Sequence, residues 1–589
     1  MALPAPAPQA SDTDLTSIAE ARALARAARQ AQPALADRSQ EQIDAIVTAM
    51  ADAVTPQAET LARLAVEETG FGVVADKVQK NLFASRQVYE FIRPMRTVGV
   101  VNRIEDKKII EIAEPFGVVA AVVPSTNPTS TAIYKVLISL KARCPIVISP
   151  HPSAARCITR AVEIMADAAL RAGAPAGAIG WMKTVTLEGT QELMRQRDVA
   201  VILATGGMGL VRAAYSAGKP AYGVGPGNAP CYIERSADVG GAAHDIILGK
   251  TFDNGLLCSS PNSVVVDEAV AEEARRQFEA RGAKFLSPAE ASQLAAALVT
   301  PQRLPNPKLV GRSAKEIAEQ VGIPVAADVR VLIAPLDGVG RDYPLSIEKL
   351  CPVLSWYVVK DWMEGCERCI QILRYGGMGH TMAVHSQNDD VILQFGLKKP
   401  AFRICVNTPT THGSIGLTTG LDPAMTLGCG GWGGNSTSDN ISPRHLLNLK
   451  RVAYGLRPAV ASPAVGAAST AAASAPARPL TPAGPQAPAK AAPRGISTDE
   501  LRSKVDQFLA SRGYKSAGES AGGERTSAPV ATVRNTAPVA PAAFVCEDDV
   551  RQAMRAGTTI ALGEKTIVTP AARDLGMAHN VFAPTSWPR

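Results

Sequence analysis

The stretch between positions 118 and 203 constrains the fold more than any other part of the chain. Val118-Val119-Ala120-Ala121-Val122-Val123 is apolar at every position, and so is Ile146-Val147-Ile148. A strand with one wet face alternates apolar and polar residues. One that is apolar throughout is buried on both faces, the condition of a parallel sheet covered by helices. The intervening segments agree. Thr129 to Lys141 repeats its apolar residues at helical spacing, a second helix is expected from about Ala154 to Ala172, and Val199 to Leu203 reads as the next strand. Strands alternating with helices at this pace predict an α/β fold built on a parallel sheet. The 589 residues leave room for two or three domains.

This texture holds to about Gly455 and then stops. Residues 456–495 are almost entirely Ala, Pro, Ser, Thr and Gly, too poor in apolar surface to offset ordering entropy, so a disordered linker is expected. Two islands follow. Ser497-Thr498-Asp499-Glu500 is a capping box, and Leu501, Val505, Phe508 and Leu509 then share one face of a helix expected over 496–513 and stopped by Gly513. A helix this short is marginal alone, which points to docking on a partner. A second linker spans 514–545. Within 546–589 the pattern predicts a helix ending at Gly557, strands at Thr559 to Leu562 and Thr566 to Val568 around a turn at Gly563, and a last helix opened by Thr569-Pro570.

Charge and composition exclude several classes. Sixty-one basic and 54 acidic residues give a net charge of +7, spread along the chain without a basic block, so no nucleic-acid partner is expected. No run approaches the ~20 apolar residues that span a bilayer, and no membrane partner is expected. Residues 1–14 are Ala/Pro-rich, with neither the basic nor the apolar region of a secretory signal, and read as a disordered start. The ten cysteines are irregularly spaced in apolar sequence, as reduced thiols of a cytoplasmic protein are.

Several loops carry residues suited to chemistry. Val123-Pro124-Ser125-Thr126-Asn127-Pro128 ends a strand in a Pro-bracketed loop that holds one amide ahead of a helix. Such an amide can donate to a developing oxyanion, although Asn-Pro is also a common turn. Phe252-Asp253-Asn254-Gly255-Leu256-Leu257-Cys258 places a cysteine in a Gly-containing loop before the β-rich Ser263 to Val266. It is either a nucleophile, its own backbone N–H completing an oxyanion site, or a buried structural thiol. Thr205-Gly206-Gly207-Met208-Gly209 follows a strand and precedes a helix, so its backbone can approach a dinucleotide, without the full GxGxxG spacing. Gly223-Val224-Gly225-Pro226-Gly227-Asn228 is a second glycine turn. Cys366-Glu367-Arg368-Cys369 has CxxC spacing but no second pair and sits in helical sequence, a structural pattern. His385, His412 and His445 lack ligand spacing, so no metal site is expected.

In order and spacing these loops resemble the CoA-acylating branch of the aldehyde dehydrogenase superfamily, which includes the aldehyde dehydrogenase half of bifunctional alcohol/aldehyde dehydrogenases and the ethanolamine- and propanediol-utilisation enzymes. Pro115-Phe116-Gly117-Val118-Val119 with Val123 to Thr131 resembles the oxyanion loop of that family. Ser149-Pro150-His151-Pro152 is similar to its cofactor turn, Asp253 to Cys258 to its nucleophile loop, and Glu348-Lys349-Leu350-Cys351-Pro352-Val353 to the segment whose Glu holds the nicotinamide ribose. Gly376-Gly377-Met378-Gly379-His380-Thr381 and the glycine-rich run from Thr426 to Asn435 match further signatures. The resemblance covers about three quarters of the chain. It implies a Rossmann-like cofactor domain over 15–240, an α/β catalytic domain over 241–415, and a return to the cofactor domain with an oligomerisation segment over 416–455.

The resemblance also assigns roles. Cys258 becomes the nucleophile, Asn127 the oxyanion donor and His380 a neighbour of the nucleophile. Ser149, Pro150, His151, Thr205, Gly206, Gly207, Gly225 and Glu348 become cofactor-binding, with NAD as cofactor and coenzyme A as co-substrate. A thioester on Cys258 would form as hydride leaves for the nicotinamide. Hydrolytic relatives carry a water-activating Glu where this chain has Tyr222 to Asn228, which offers no base, so the thioester should await a CoA thiol. The expected reaction is reversible oxidation of a short-chain aldehyde to acyl-CoA by a homodimer or homotetramer. Its alternatives are an acylating sulfoacetaldehyde dehydrogenase, a non-acylating aldehyde dehydrogenase, an acyl-phosphate reductase, or a non-catalytic scaffold component. The tethered helix and the segment Thr566 to Leu575 resemble tails that carry enzymes into bacterial microcompartments, which implies a shell-protein partner and a place in the microcompartment lumen.

Overall fold

The computed structural model describes residues 11–457, 542–579 and 581–582. The chain divides into two compact units, 1–463 and 464–589.

In the first unit, helices Asp12–Ala36 and Gln40–Val54 open the fold, each started by a capping box, Ser11 with Asp14 and Ser39 with Gln42. A five-stranded parallel sheet follows, with edge-to-edge order Ile179–Trp181, Ile146–Pro150, Val118–Val123, Val199–Thr205 and Ala221–Val224. The two all-apolar strands are buried at every residue. Between them runs helix Pro128–Lys141, buried along its whole length and begun by a proline at its first position, where a missing N–H costs nothing. The next helix, Ala155–Arg171, buries only one stripe.

A second parallel sheet has seven strands in the order Ala283–Phe285, Val331–Pro335, Val353–Val359, Pro261–Asp267, Ala229–Ile233, Gly379–His385 and Ala401–Val406. Because Ala229–Ile233 pairs inside this sheet, the chain changes sheets at 225–228, ahead of the expected boundary at 240. Gly240 and Gly241 fall in the first turn of helix Val239–Thr251 instead of at a boundary; the change is set by which partner strand Ala229–Ile233 meets. Ile415, Ala424, Leu427, Ile441 and Leu446 then join the hydrophobic core of the first sheet. Gly99–Ile104, Ile109–Pro115 and the late strand Leu447–Ala453 make a three-stranded antiparallel sheet. Cys366 and Cys369 are both buried in helix Trp362–Tyr375, packed in the apolar layer over the second sheet.

In the second unit, helix Glu547–Ala556 ends at Gly557 (φ +64°), and Thr569 caps helix Pro570–Ala578 by accepting the Ala572 N–H. The two short strands expected around Gly563 are instead one strand, Leu562–Val568, paired in parallel with Ala542–Val545 across a register shift. The Thr566 hydroxyl accepts the Gly563 N–H at 2.8 Å and donates to the Ala542 carbonyl, so the irregularity is absorbed as a bulge and no reversal occurs. Val545, Val550, Ala553, Ala572 and Val581 form a small core. The helix expected over 496–513 and most of both linkers lie outside the described residues. Among the described residues no helix is long and apolar enough to cross a membrane.

Candidate active site

In the five-stranded sheet the chain lays down Val118–Val123 first, moves to one side for two strands, and returns to the other side with Val199–Thr205. The loops leaving Val123 and Thr205 therefore diverge, opening the crevice at which parallel α/β sheets bind ligands. A cavity of about 500 Å³ occupies it. Ten of the eleven residues singled out in the sequence line this cavity: Asn127, Ser149, Pro150, His151, Thr205, Gly206, Gly207, Gly225, Cys258 and Glu348. His380 does not.

The nucleophile loop is set by backbone conformation. Asp253, Asn254 and Gly255 are consecutive left-handed residues (φ +48°, +52° and +74°), which turn the chain sharply before Cys258. Asp and Asn enter this region more readily than other side chains, and here both are also held from outside the turn. Asp253 accepts the Val73 N–H at 2.7 Å, and the Asn254 amide donates to the Gly311 carbonyl at 2.9 Å. Cys258 lies half-buried on the cavity wall. Burial pushes its thiol up to about 12, assisted by Glu348 and Cys429 and opposed by the Arg403 cation. The resting group is a thiol.

Asn127 sits at the N-cap of helix Pro128–Lys141 without capping it, which leaves its side chain to the cavity. Its Oδ1 accepts from Lys80 Nζ at 2.6 Å. An ammonium can only donate, so the carbonyl side of the amide is the side turned to Lys80. The NH₂ side is left to donate elsewhere, with one contact to Thr126 Oγ1 at 3.3 Å.

The glycine turn after Thr205 fits a dinucleotide. Gly207 caps helix Met208–Tyr215 with no side-chain partner, leaving the first amides of the helix open. A Cβ on Gly225 would come within 2.8 Å of the Met208 side chain, so the second glycine loop lies against the first. Thr205 Oγ1 and Ser259 Oγ, in two lining residues, are buried polar atoms without a protein partner, sites a polar ligand can satisfy. Ser149 Oγ is already paired with Thr190 Oγ1 at 2.8 Å. Glu348 accepts the Gly227 N–H at 2.8 Å, and burial raises its carboxyl to about 8.

His380 stands behind the Cys258 loop. A Cβ on Gly227 would lie 2.2 Å from the Cys258 carbonyl and 3.0 Å from the His380 ring, so Gly227 is the spacer between them. The His380 Nδ1 pairs with Thr381 Oγ1 at 2.9 Å, its Nε2 has no partner, and burial with Arg403 nearby lowers its pKa to about 3. It is a neutral imidazole packed against the loop rather than a group facing the cavity.

Lys135, Arg403, Lys77 and Lys80 are buried basic side chains that the sequence reading did not single out. Lys135 donates to the Val122 and Leu203 carbonyls at 2.7 and 2.9 Å, tying together the two strands whose loops diverge. Arg403 holds the glycine-rich loop through the Gly428 and Ser438 carbonyls. Lys77 and Lys80 meet Asp253. Lys135 had a signal, a single charge inside an otherwise apolar helix; in Val74-Ala75-Asp76-Lys77-Val78-Gln79-Lys80 the charges read as an ordinary solvated face.

A crevice where the strand order reverses, a thiol after a left-handed turn and a side-chain amide share one cavity on two parallel sheets, an arrangement suited to carbonyl chemistry through a cysteine. Residues 4–420 match the aldehyde dehydrogenase family, and the chain belongs to it. It is 42% identical over 444 residues to the bifunctional aldehyde-alcohol dehydrogenase AdhE of Escherichia coli, covering 74% of this chain and 50% of that protein. The chain thus spans about half the length of the curated relatives it matches at this level. Among solved structures, an acetylating aldehyde dehydrogenase from Geobacillus thermoglucosidasius is 48% identical with a TM-score of 0.75, covering 77% of this chain and 100% of that one. A propionaldehyde dehydrogenase from the fucose-utilisation bacterial microcompartment of Clostridium phytofermentans is 28% identical with a TM-score of 0.66, covering 73% and 96%.

Proposed function

We propose that the protein is a CoA-acylating aldehyde dehydrogenase that oxidises a short, uncharged aldehyde with NAD, through a thioester on Cys258. The observation that carries this reading is the shared cavity of Cys258 and Asn127, whose one lining acidic side chain among the described residues, Glu348, accepts the Gly227 N–H. The Cys258 thiol passes its proton to water in the cavity and its sulfur attacks the aldehyde carbon, and the Asn127 amide and the Cys258 N–H stabilise the oxyanion. A bound nicotinamide dinucleotide would supply the hydride acceptor that collapse of the alkoxide needs. The Thr205 to Gly209 turn and Glu348 orient that cofactor. The acyl group then waits on Cys258, since Tyr222 to Asn228 supplies no base for water, and a CoA thiol releases it.

Substrate charge and cofactor choice rest on the same lining. Among the described residues around the cavity there is no lysine or arginine, while Leu257, Ile415, Met425 and Leu427 supply apolar wall. A sulfonate or carboxylate tail would find no cation there, and neither would the 2′-phosphate of NADP. Packaging in a bacterial microcompartment through residues beyond 457, and assembly as a dimer or tetramer, belong to the same reading. The Clostridium phytofermentans relative supports the first.

The test is NADH formation from acetaldehyde, propionaldehyde and sulfoacetaldehyde with and without CoA. Strict CoA dependence and preference for the uncharged aldehydes are expected. Equal rates without CoA would mean that water resolves the thioester and would overturn the acyl-transfer assignment.

A further inference from the structure

The described chain contains a buried charge cluster beside the reacting atoms that the reaction as written does not use. Lys77 and Lys80 lie one turn apart on helix Val74–Leu82, each 2% exposed, and both contact the fully buried carboxylate of Asp253. Lys77 reaches Asp253 Oδ2 at 3.0 Å and the Thr126 carbonyl at 3.3 Å. Lys80 contacts the same carboxylate oxygen and also donates to Asn127 Oδ1 at 2.6 Å. Asp253 accepts the Val73 N–H as well, and its own N–H donates to Asp76 at 2.7 Å. Gly72 (φ +79°) permits this approach, since a Cβ there would fall 2.0 Å from Asp253 Oδ1. One ammonium therefore touches both the loop that presents the oxyanion amide and the loop that presents the thiol.

We propose that Lys80 is a positioning residue for catalysis: it fixes the orientation of the Asn127 amide, polarises it, and through Asp253 holds it in register with Cys258. The inference rests on the assignment of Asn127 as oxyanion donor. An isolated surface Asn flips between two nearly isosteric orientations, only one of which presents N–H groups to a developing alkoxide. A buried ammonium on the carbonyl oxygen removes that ambiguity. It also draws electron density toward Oδ1, which makes the Nδ2 hydrogens better donors in a site of low dielectric. Asp253 is needed because a lysine buried without a counter-ion would lose its proton.

The groups facing Lys80 are Asp253, Lys77 and Asp76 together with the Asn127 amide, and burial lowers the Lys80 ammonium to about 8 against the attraction of Asp253. Its charge is present below that pH and lost above it. The hold on Asn127 should weaken correspondingly, giving thioester formation an alkaline limb near pH 8 that saturating cofactor does not remove.

The experiment is the pre-steady-state burst of NADH on mixing full-length enzyme and NAD with propionaldehyde, for wild type, Lys80→Met, Lys80→Arg, Asn127→Ala and the double variant Lys80→Met/Asn127→Ala. Asn127→Ala is expected to slow the burst about 10²-fold or more, as loss of an oxyanion donor does. Lys80→Met should lose at least about tenfold with NADH affinity unchanged, and should cost nothing further in the Asn127→Ala background, because its effect passes through that amide. Lys80→Arg should retain most of the rate and lose the limb near pH 8. If Lys80→Met does not fold, the pH profiles of Lys80→Arg and Asn127→Ala decide, since both should lack the limb. A full burst in Asn127→Ala would sink the assignment of the oxyanion donor itself. Loss in Asn127→Ala with no loss in Lys80→Met, an additive loss in the double variant, or an unchanged limb in Lys80→Arg would overturn the role of Lys80 alone.

Discussion

A buried histidine shows how far the setting of a single residue departs from what its type suggests. His380 is fully enclosed, and its pKa falls from 6.5 to about 3 because burial and the Arg403 charge both oppose protonation. In the unfolded chain it takes up a proton near 6.5. Between those values the unfolded state binds the extra proton, so unfolding free energy rises with pH, and stability is lost as pH falls from 6.5 toward 3. His380→Asn should therefore flatten the acid side of a urea-midpoint profile over that window. A profile as steep as wild type would mean that other groups carry the acid sensitivity. The same contrast separates the candidate site residues. Cys258 and Asn127 were singled out because the order and spacing of the loops around them resemble one family, and the structure places both on one cavity, whereas Lys80 gave no sign. Nothing local distinguishes a lysine that reaches an Asn carbonyl 47 positions away from one that reaches water.

At the scale of elements, the chemistry depends on how tightly loops approach. Gly227 lies where the first sheet hands over to the second, with the Cys258 carbonyl on one side and the His380 ring on the other. Gly227→Ala must push a methyl group into a backbone oxygen that a strained turn holds in place. About 2 kcal/mol of destabilisation is expected from overpacking of this kind. Because small displacements of reacting groups are costly, NADH formation should fall by about 10²-fold. A variant with wild-type kinetics would show the nucleophile loop to be pliant, contrary to its run of left-handed residues. The elements themselves were largely written in the sequence. Val118–Val123 and helix Pro128–Lys141 emerged almost as expected, because apolar runs and a proline at a helix start are local signals. The strand pair expected around Gly563 failed for a local reason of another kind, since a threonine hydroxyl satisfied the backbone that a turn would have freed.

For the whole molecule, the two units keep separate cores. The cluster of Val545, Val550, Ala553, Ala572 and Val581 draws on its own segment, and the five larger clusters draw on residues before 447 or at it. A protein ending at residue 457 should thus retain kcat within about twofold and its main melting transition, since distant independent regions contribute additively. It should fail to enter a microcompartment shell. Loss of turnover on truncation would show that the tail supports the catalytic unit, and retained packaging would remove the targeting role proposed for it.

The alternation of buried strands and helices and the positions of the glycine turns were determined by the sequence alone. Each follows from rules that act within a few residues, such as apolar periodicity, the conformational freedom of glycine and the fixed φ of proline. Tertiary structure decided where one sheet gives way to the other, what stands behind the nucleophile, and which charges are buried. Those depend on contacts between residues far apart in the chain, such as Lys80 with Asn127 and Asp253, and a burial energy that exists only once the strands have paired.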